Sequence, residues 1–241
     1  MQVLAINSSP HMDEGGTGAV LTPFLDGMRE AGASVELLHM SKLRVEQCRG
    51  CMSCWLRTPG RCAISDDMLT VLPRLAACDV LVLATPLYAD GMSGGLKTLI
   101  ERSIPLLDPR IIMREGRCRH PLREGVKGGA LALVSACGFP ELASFDPLMC
   151  HVEALAQNLG RTFVGALLRP HAAGLKKIER MGIEVASIYE AARSAGRQLV
   201  ETGAVSPQTL AEVSRELMPV RVCVRAANAA IQSALDDLKG H

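Results

Sequence analysis

The chain has 241 residues, 48% of them hydrophobic and only 3% aromatic, with a formal net charge of +1. That length supports one well-buried α/β domain with additions, built on an aliphatic core. The near-neutral charge gives no footing for nucleic acid as a general partner, and no apolar run approaches the length of a membrane span.

Val3 to Ile6 is a short apolar run that stops at Asn7-Ser8-Ser9-Pro10, which predicts a buried strand ending in a polar turn. The apolar start from Met1 is too short and lacks a basic n-region, so no signal peptide is expected. Gly15-Gly16-Thr17-Gly18 opens a helix through Leu21, Phe24, Leu25 and Met28, and Gly32 closes it. Ser34 to His39 reads as a second strand, followed by a cysteine-bearing loop. Asp66 or Asp67 caps a helix carrying Met68, Leu69, Leu72 and Leu75. Val80 to Ala84 is a third strand, ending at Thr85-Pro86-Leu87-Tyr88, and Ser93 opens the next helix. Ala130 to Val134 and Phe163 to Leu168 are further strands, with a helix starting at Asp146-Pro147 between them. From about Lys176 the chain reads as helical, with breaks near Gly203 to Pro207 and at Pro219. Strands apolar on both faces, alternating with helices, imply a doubly wound parallel sheet.

The loop at Cys48, Cys51, Cys54 and Cys62 has the spacing C-x2-C-x2-C-x7-C. Thiolates this dense suit an iron–sulfur cluster, whose irons each take a protein sulfur. A four-cysteine zinc site usually pairs two separated C-x2-C units, and a loop of free thiols is the third reading. An odd total of nine cysteines, clustered in this way, argues against a secreted disulfide framework and for a reducing cytoplasm.

In an open parallel sheet, ligands bind beyond the carboxyl ends of the strands. The first such loop, Ser8 to Gly18, combines hydroxyls, glycines and a helix N-terminus into an anion cradle. The second, Thr85 to Gly95, has Tyr88 to cover a flat ring, and the third, Ser135 to Gly138, supplies small residues and backbone donors.

Ser8-Ser9-Pro10 with its glycines, Thr85-Pro86-Leu87-Tyr88 with Ser93 and Lys97, and Asp66-Asp67-Met68 resemble the flavodoxin-like NAD(P)H-dependent FMN reductase family. The four-cysteine segment resembles its iron–sulfur flavoprotein branch. The resemblance covers roughly residues 1–170. It implies a five-stranded parallel sheet of order 2-1-3-4-5, FMN as cofactor and NAD(P)H as co-substrate. It places the FMN phosphate on Ser9, His11, Gly16, Thr17 and Gly18, and the flavin ring along Pro86, Leu87, Tyr88 and Met92. Ser135, Cys137 and Gly138 close the far edge, and no side chain need act as a catalytic acid because the flavin carries the chemistry. A [4Fe–4S] cluster on the four cysteines would lie beside the flavin. His11 stands where relatives have Arg, and Gly18 where Ser or Thr is usual. His39, rather than an acidic ribose-binding residue, ends the second strand, which favours FMN over FAD.

The domain division expected is 1–175, with an insertion at 106–127, followed by a helical extension at 176–241 packed on the same domain. Residues 110–127 carry Arg110, Arg114, Arg117, Arg119, Arg123 and Lys127 against Glu115 and Glu124. They read either as a dock for the NADPH 2′-phosphate or a neighbouring subunit's FMN phosphate, or as a solvated basic hairpin or an interface salt-bridge strip. The expected activity is flavin or quinone reduction, with a small-molecule or protein electron acceptor and a homodimer or homotetramer as the assembly. A non-enzymatic flavodoxin-like electron carrier and a thiol-based redox sensor are the rival functions.

Overall fold

The structure, a computed structural model, describes residues 1–172 and 175–239. Its strands are β1 (Gln2–Asn7), β2 (Ser34–His39), β3 (Val80–Pro86), β4 (Ile112–Arg114), β5 (Arg117–Arg119), β6 (Ala130–Ala136) and β7 (Thr162–Arg169). Its helices are α1 (Gly16–Glu30), α2 (Ser53–Leu56), α3 (Met68–Ala77), α4 (Gly94–Glu101), α5 (Asp146–Asn158), α6 (Leu175–Arg180), α7 (Ala186–Thr202), α8 (Pro207–Val213) and α9 (Val220–Lys239).

Five strands form one parallel sheet in the order β2-β1-β3-β6-β7. With the short hairpin β4–β5 set aside, this is the expected 2-1-3-4-5 order. Side chains alternate across a strand, so β1 sends Val3 and Ala5 to one face and Leu4 and Ile6 to the other. The first face packs on α1 and α7 through Leu21, Phe24, Ala192 and Leu199. The second packs on α3, α4 and α5 through Leu72, Leu96 and Val152. Burial on both faces is why β3 is apolar almost throughout.

Helix α7 lies directly against α1, backbone to backbone. A Cβ on Gly27 would stand 1.9 Å from the Arg193 carbonyl oxygen, and one on Gly196 would stand 2.0 Å from that of Phe24. Arg193 and Arg197 add ion pairs to Glu30 across the seam. The helical tail therefore supplies one of the two helices covering this face of the sheet. It breaks at Gly203, whose φ of 78° ends α7, and restarts where Ser206 caps α8 ahead of Pro207. Buried Arg169 ties α8 to the sheet by donating to the carbonyls of Val213 and Arg215. Burial, then the nearby Arg215 charge, lowers its pKa to about 10.

Candidate cofactor site and cysteine recess

Strand register brings three loops to one edge. Asn7 pairs with Ala84, Thr85 with Ser135, and Ala136 with Arg169. The chain runs from β1 outward to β2 and then returns to β3 on the opposite side, so the strand order reverses between β1 and β3. That crevice is where such sheets bind ligands.

The first loop is shaped by its own polar groups. The Asn7 side chain accepts from Ser9 N and donates to Met12 O, and Ser8 Oγ donates to Ala84 O. Ser9 Oγ accepts from His11 N at 3.3 Å. Met12, with φ 46°, turns the chain back over the helix start. The close approach explains two glycines: a Cβ on Gly18 would stand 2.5 Å from the Asp13 backbone, and one on Gly16 would stand 2.6 Å from Ala172 Cβ. The folded-back loop leaves no room for a side chain at Gly18. Helix α1 begins with no side-chain cap, whereas Ser93 caps α4 by accepting from Leu96 N. The first-turn N–H groups of α1 are thus available to an anion. Ser9 and Thr17 are buried beside them and His11 is exposed.

The second loop is a tight turn, with Tyr88 and Gly91 exchanging backbone hydrogen bonds and Ala89 and Asp90 at φ 47° and 60°. Two consecutive positive φ values are those of a type I′ turn, uncommon without glycine or asparagine. The turn holds Tyr88 out, 52% exposed. Thr85 Oγ1 accepts from Ser93 N and anchors the loop's far side. Pro86 is buried and Leu87 half-buried at the rim. Met92 faces inward, in the core with Leu4 and Leu96. In the third loop Ser135 is fully buried and donates to Thr85 O, and the Cys137 thiol bonds Phe139 O. Cys137 N is taken by Arg169 O, which leaves Gly138 exposed. Phe139, 66% exposed, stands at the same edge and has no counterpart in the sequence reading.

The four cysteines line a single recess together with Arg49, Glu101, Arg102 and Pro105. Cys48 and Cys51 are exposed, and Cys54 and Cys62 half-buried. Hydrogen bonds with Ser53 hold the Cys51 thiol below its ordinary pKa, whereas burial and the neighbouring Cys62 raise that of Cys54. Among the described residues no three His, Cys, Asp or Glu groups converge on one ion-sized point.

Both ends of this loop are tied down by two aspartates that the sequence offered as helix caps and as part of the family resemblance. Asp66 accepts from Glu46 N at 2.8 Å and Met68 N at 3.1 Å, and Asp67 from Arg44 N at 2.7 Å. Asp66 also forms a two-pronged pair with Arg102 at 2.7 and 2.9 Å, with both side chains essentially buried. The basic segment contributes as well: Arg123 donates to the carbonyls of Cys54 and Pro105, and Trp55 donates to Ile104 O and stacks near His120. Residues 112–119 of that segment form the exposed hairpin β4–β5, turned at Glu115 and Gly116, and Lys127 pairs with Asp79.

Arg102 follows the last residue of α4, and Ser93 precedes the first. The recess and the Tyr88 loop therefore meet opposite ends of α4, about 12 Å of helix apart at 1.5 Å per residue.

The family profile of NADPH-dependent FMN reductases matches residues 1–120. The chain belongs to that family. An iron–sulfur flavoprotein of Methanocaldococcus jannaschii is 33% identical over 133 residues, 55% of this chain and 62% of that protein. One of Archaeoglobus fulgidus is 32% identical over 103 residues, 43% of this chain and 49% of that protein. The matched stretch thus spans about half to three-fifths of these relatives' length. Similar folds include an NAD(P)H:quinone oxidoreductase of Methanothermobacter marburgensis, with TM-score 0.61, 16% identity, and coverage of 83% of this chain and 96% of that one. An FMN-dependent NADH-azoreductase of Bacillus anthracis, solved with FMN, has TM-score 0.60 and 16% identity over 83% of this chain and 99% of that one.

The residues present fit both groups. The uncapped α1 start beside Ser9 and Thr17 suits a phosphate, and four thiols around one recess suit a polynuclear cluster gripped at its corners.

Proposed function

We propose that this chain binds FMN in the β1/β3 crevice and uses it to oxidise NAD(P)H, with a quinone-like small molecule or a protein as electron acceptor. The observation that carries the reading is the α1 N-terminus, left without a side-chain cap beneath a loop that folds over it. Bound FMN supplies the hydride and electron chemistry. The chain's own residues bind and orient it. First-turn N–H groups of α1, with Ser9 and Thr17, hold the phosphate, and exposed His11 offers a ring N–H at its rim. Pro86, Leu87 and Tyr88 line one side of the ring. Gly138 offers an exposed backbone at the far edge. Ser135 and Cys137 act from behind, since their polar atoms are engaged within the protein. Met92 supports the Tyr88 turn from the core.

The cysteine recess, by the same proposal, holds a [4Fe–4S] cluster on Cys48, Cys51, Cys54 and Cys62 that passes electrons onward singly. A second reading, a thiol redox sensor, is favoured by one observation: Cys51 is exposed and its thiol is acidified. We further propose a homodimer or homotetramer in a reducing cytoplasm. Helix α9 exposes Val222, Val224, Ile231, Leu235 and Leu238, an apolar set that a second copy would cover. No described helix is long and apolar enough to cross a membrane.

Protein purified without oxygen should show flavin and iron–sulfur absorbance together, release FMN on heating, and turn over NADPH or NADH. Release of FAD, or bound FMN that no nicotinamide reduces, would sink the reductase reading. A solution mass of 25.7 kDa, that of one chain, would sink the oligomer.

A further inference from the structure

We propose that Arg102 is a positioning residue for the iron–sulfur cluster, its Nε–H donating to the Cys62 sulfur and raising the cluster's reduction potential. The inference rests on the reading that the recess holds such a cluster. Arg102 is 1% exposed, and its terminal nitrogens are already engaged: Nη1 donates to Asp66 and Glu46 O, and Nη2 to Asp66. Its Nε is buried and has no hydrogen-bond partner. Buried donors are almost always satisfied, so an orphan in a well-packed interior marks a place where an acceptor belongs. Arg102 lines the cysteine recess. The side-chain acceptors there are the cysteine sulfurs, the weak thioether of exposed Met52, and Glu101, which is already paired with Lys97. Of the four thiols, that of Cys62 is the one packed against the core beneath α4, with Leu96, Leu99 and Ile100, and it lines the recess with Arg102.

The need for a buried Asp66–Arg102 pair explains a cation at this position, but it does not explain the third donor. Lysine could satisfy Asp66 as a point charge, whereas the planar fork of arginine presents Nε–H on a different edge from the two Nη groups. A donor held against a cluster thiolate matters because reduction adds one electron and makes the sulfur a better acceptor. The hydrogen bond therefore strengthens in the reduced state, and hydrogen bonds to the sulfurs are among the determinants of such potentials.

The test uses the full-length holoprotein purified without oxygen. Iron, acid-labile sulfide and FMN are counted, and the cluster's midpoint potential is measured by redox titration. Arg102→Lys keeps the charge beside Asp66 and removes the Nε–H. It should retain iron and FMN, with a cluster harder to reduce by about tenfold in the reduced-to-oxidised ratio at fixed ambient potential, roughly 59 mV for one electron. The flavin potential should not move. Should Arg102→Lys fold poorly, Asp66→Asn/Arg102→Gln replaces the ion pair by two amides with no change in net charge, and the same fall is expected. Asp66→Asn alone keeps the donor and should show no fall. Variants that hold iron at the wild-type potential would reduce Arg102 to a clamp for Asp66 and overturn the inference alone. Wild-type protein without iron and sulfide would overturn the cluster reading as well.

Discussion

Replacing Gly18 by Ala asks the β1 loop and the α1 N-terminus to occupy the same space. The new Cβ would stand 2.5 Å from the Asp13 Cα and carbonyl oxygen, where ordinary contact begins at 3.4 Å. Backbone cannot swing aside as a side-chain tip can, so the loop must retreat by roughly an ångström. Overpacking of this kind costs about 1–3 kcal/mol, and the better helix propensity of alanine offsets about 1 kcal/mol. The apo-protein should therefore lose roughly 1 kcal/mol, or about 2–4 °C in Tm for a chain of this size. FMN affinity should suffer more. In the proposed cradle, retreat of the loop draws Ser9 away from the phosphate, and one charge-assisted hydrogen bond is worth about 1.5–3 kcal/mol, roughly 10- to 150-fold in Kd. Titrating apo-protein with FMN and following the quenching of flavin fluorescence reads the affinity, with melting curves in parallel. Gly18→Ser should bind no better than Gly18→Ala, because space and not a missing hydroxyl is limiting. Wild-type affinity in a protein that melts lower would refute the cradle, since the loop would have moved without the phosphate noticing. An unchanged Tm would refute the clash itself.

Asp66→Ala should cost about 3–5 kcal/mol in urea unfolding, because it leaves the Arg102 guanidinium buried without its carboxylate. Burial would raise the Asp66 pKa, but the bonds from Arg102, Glu46 N and Met68 N outweigh it and hold it below the ordinary value. The stability it contributes is thus complete above its unfolded pKa of about 3.9 and is lost as pH falls through the depressed folded value. Circular dichroism from neutral to acid should show Asp66→Asn with a shallower dependence than wild type in that window. Cys54→Ala should remove iron and labile sulfide while flavin absorbance stays, because the phosphate cradle lies on a different loop; loss of both together would contradict two separate sites. Gly196→Ala should lower Tm by more than Gly18→Ala does, as its Cβ would meet the Phe24 carbonyl at 2.0 Å and force α7 off α1. An unchanged Tm there would mean that α7 is not part of the core.

What the sequence determined by itself is local and periodic. β1 and β3 are legible because strands covered on both faces must be apolar throughout, and because each stops at a residue such as Ser8 or Pro86 that begins a turn. The tail's breaks follow from Gly203, Pro207 and Pro219, whose backbone restrictions act without any partner. The cysteine loop is legible as a spacing. Only the tertiary structure decided which polar groups remain free for a ligand. Ser135 looks like a loop hydroxyl until the register of β3 with β6 sets it against Thr85 O. Met92 looks like a ring contact until the Tyr88 turn points it into the core. Arg102 drew no reading from the sequence, although its place three residues after Leu99, on the apolar side of α4, is a signal that it points inward. Its partner Asp66 is 36 residues away. A pairing that distant leaves no trace in periodicity or spacing, because it exists only once β3, α3 and α4 have packed and excluded water from both charges.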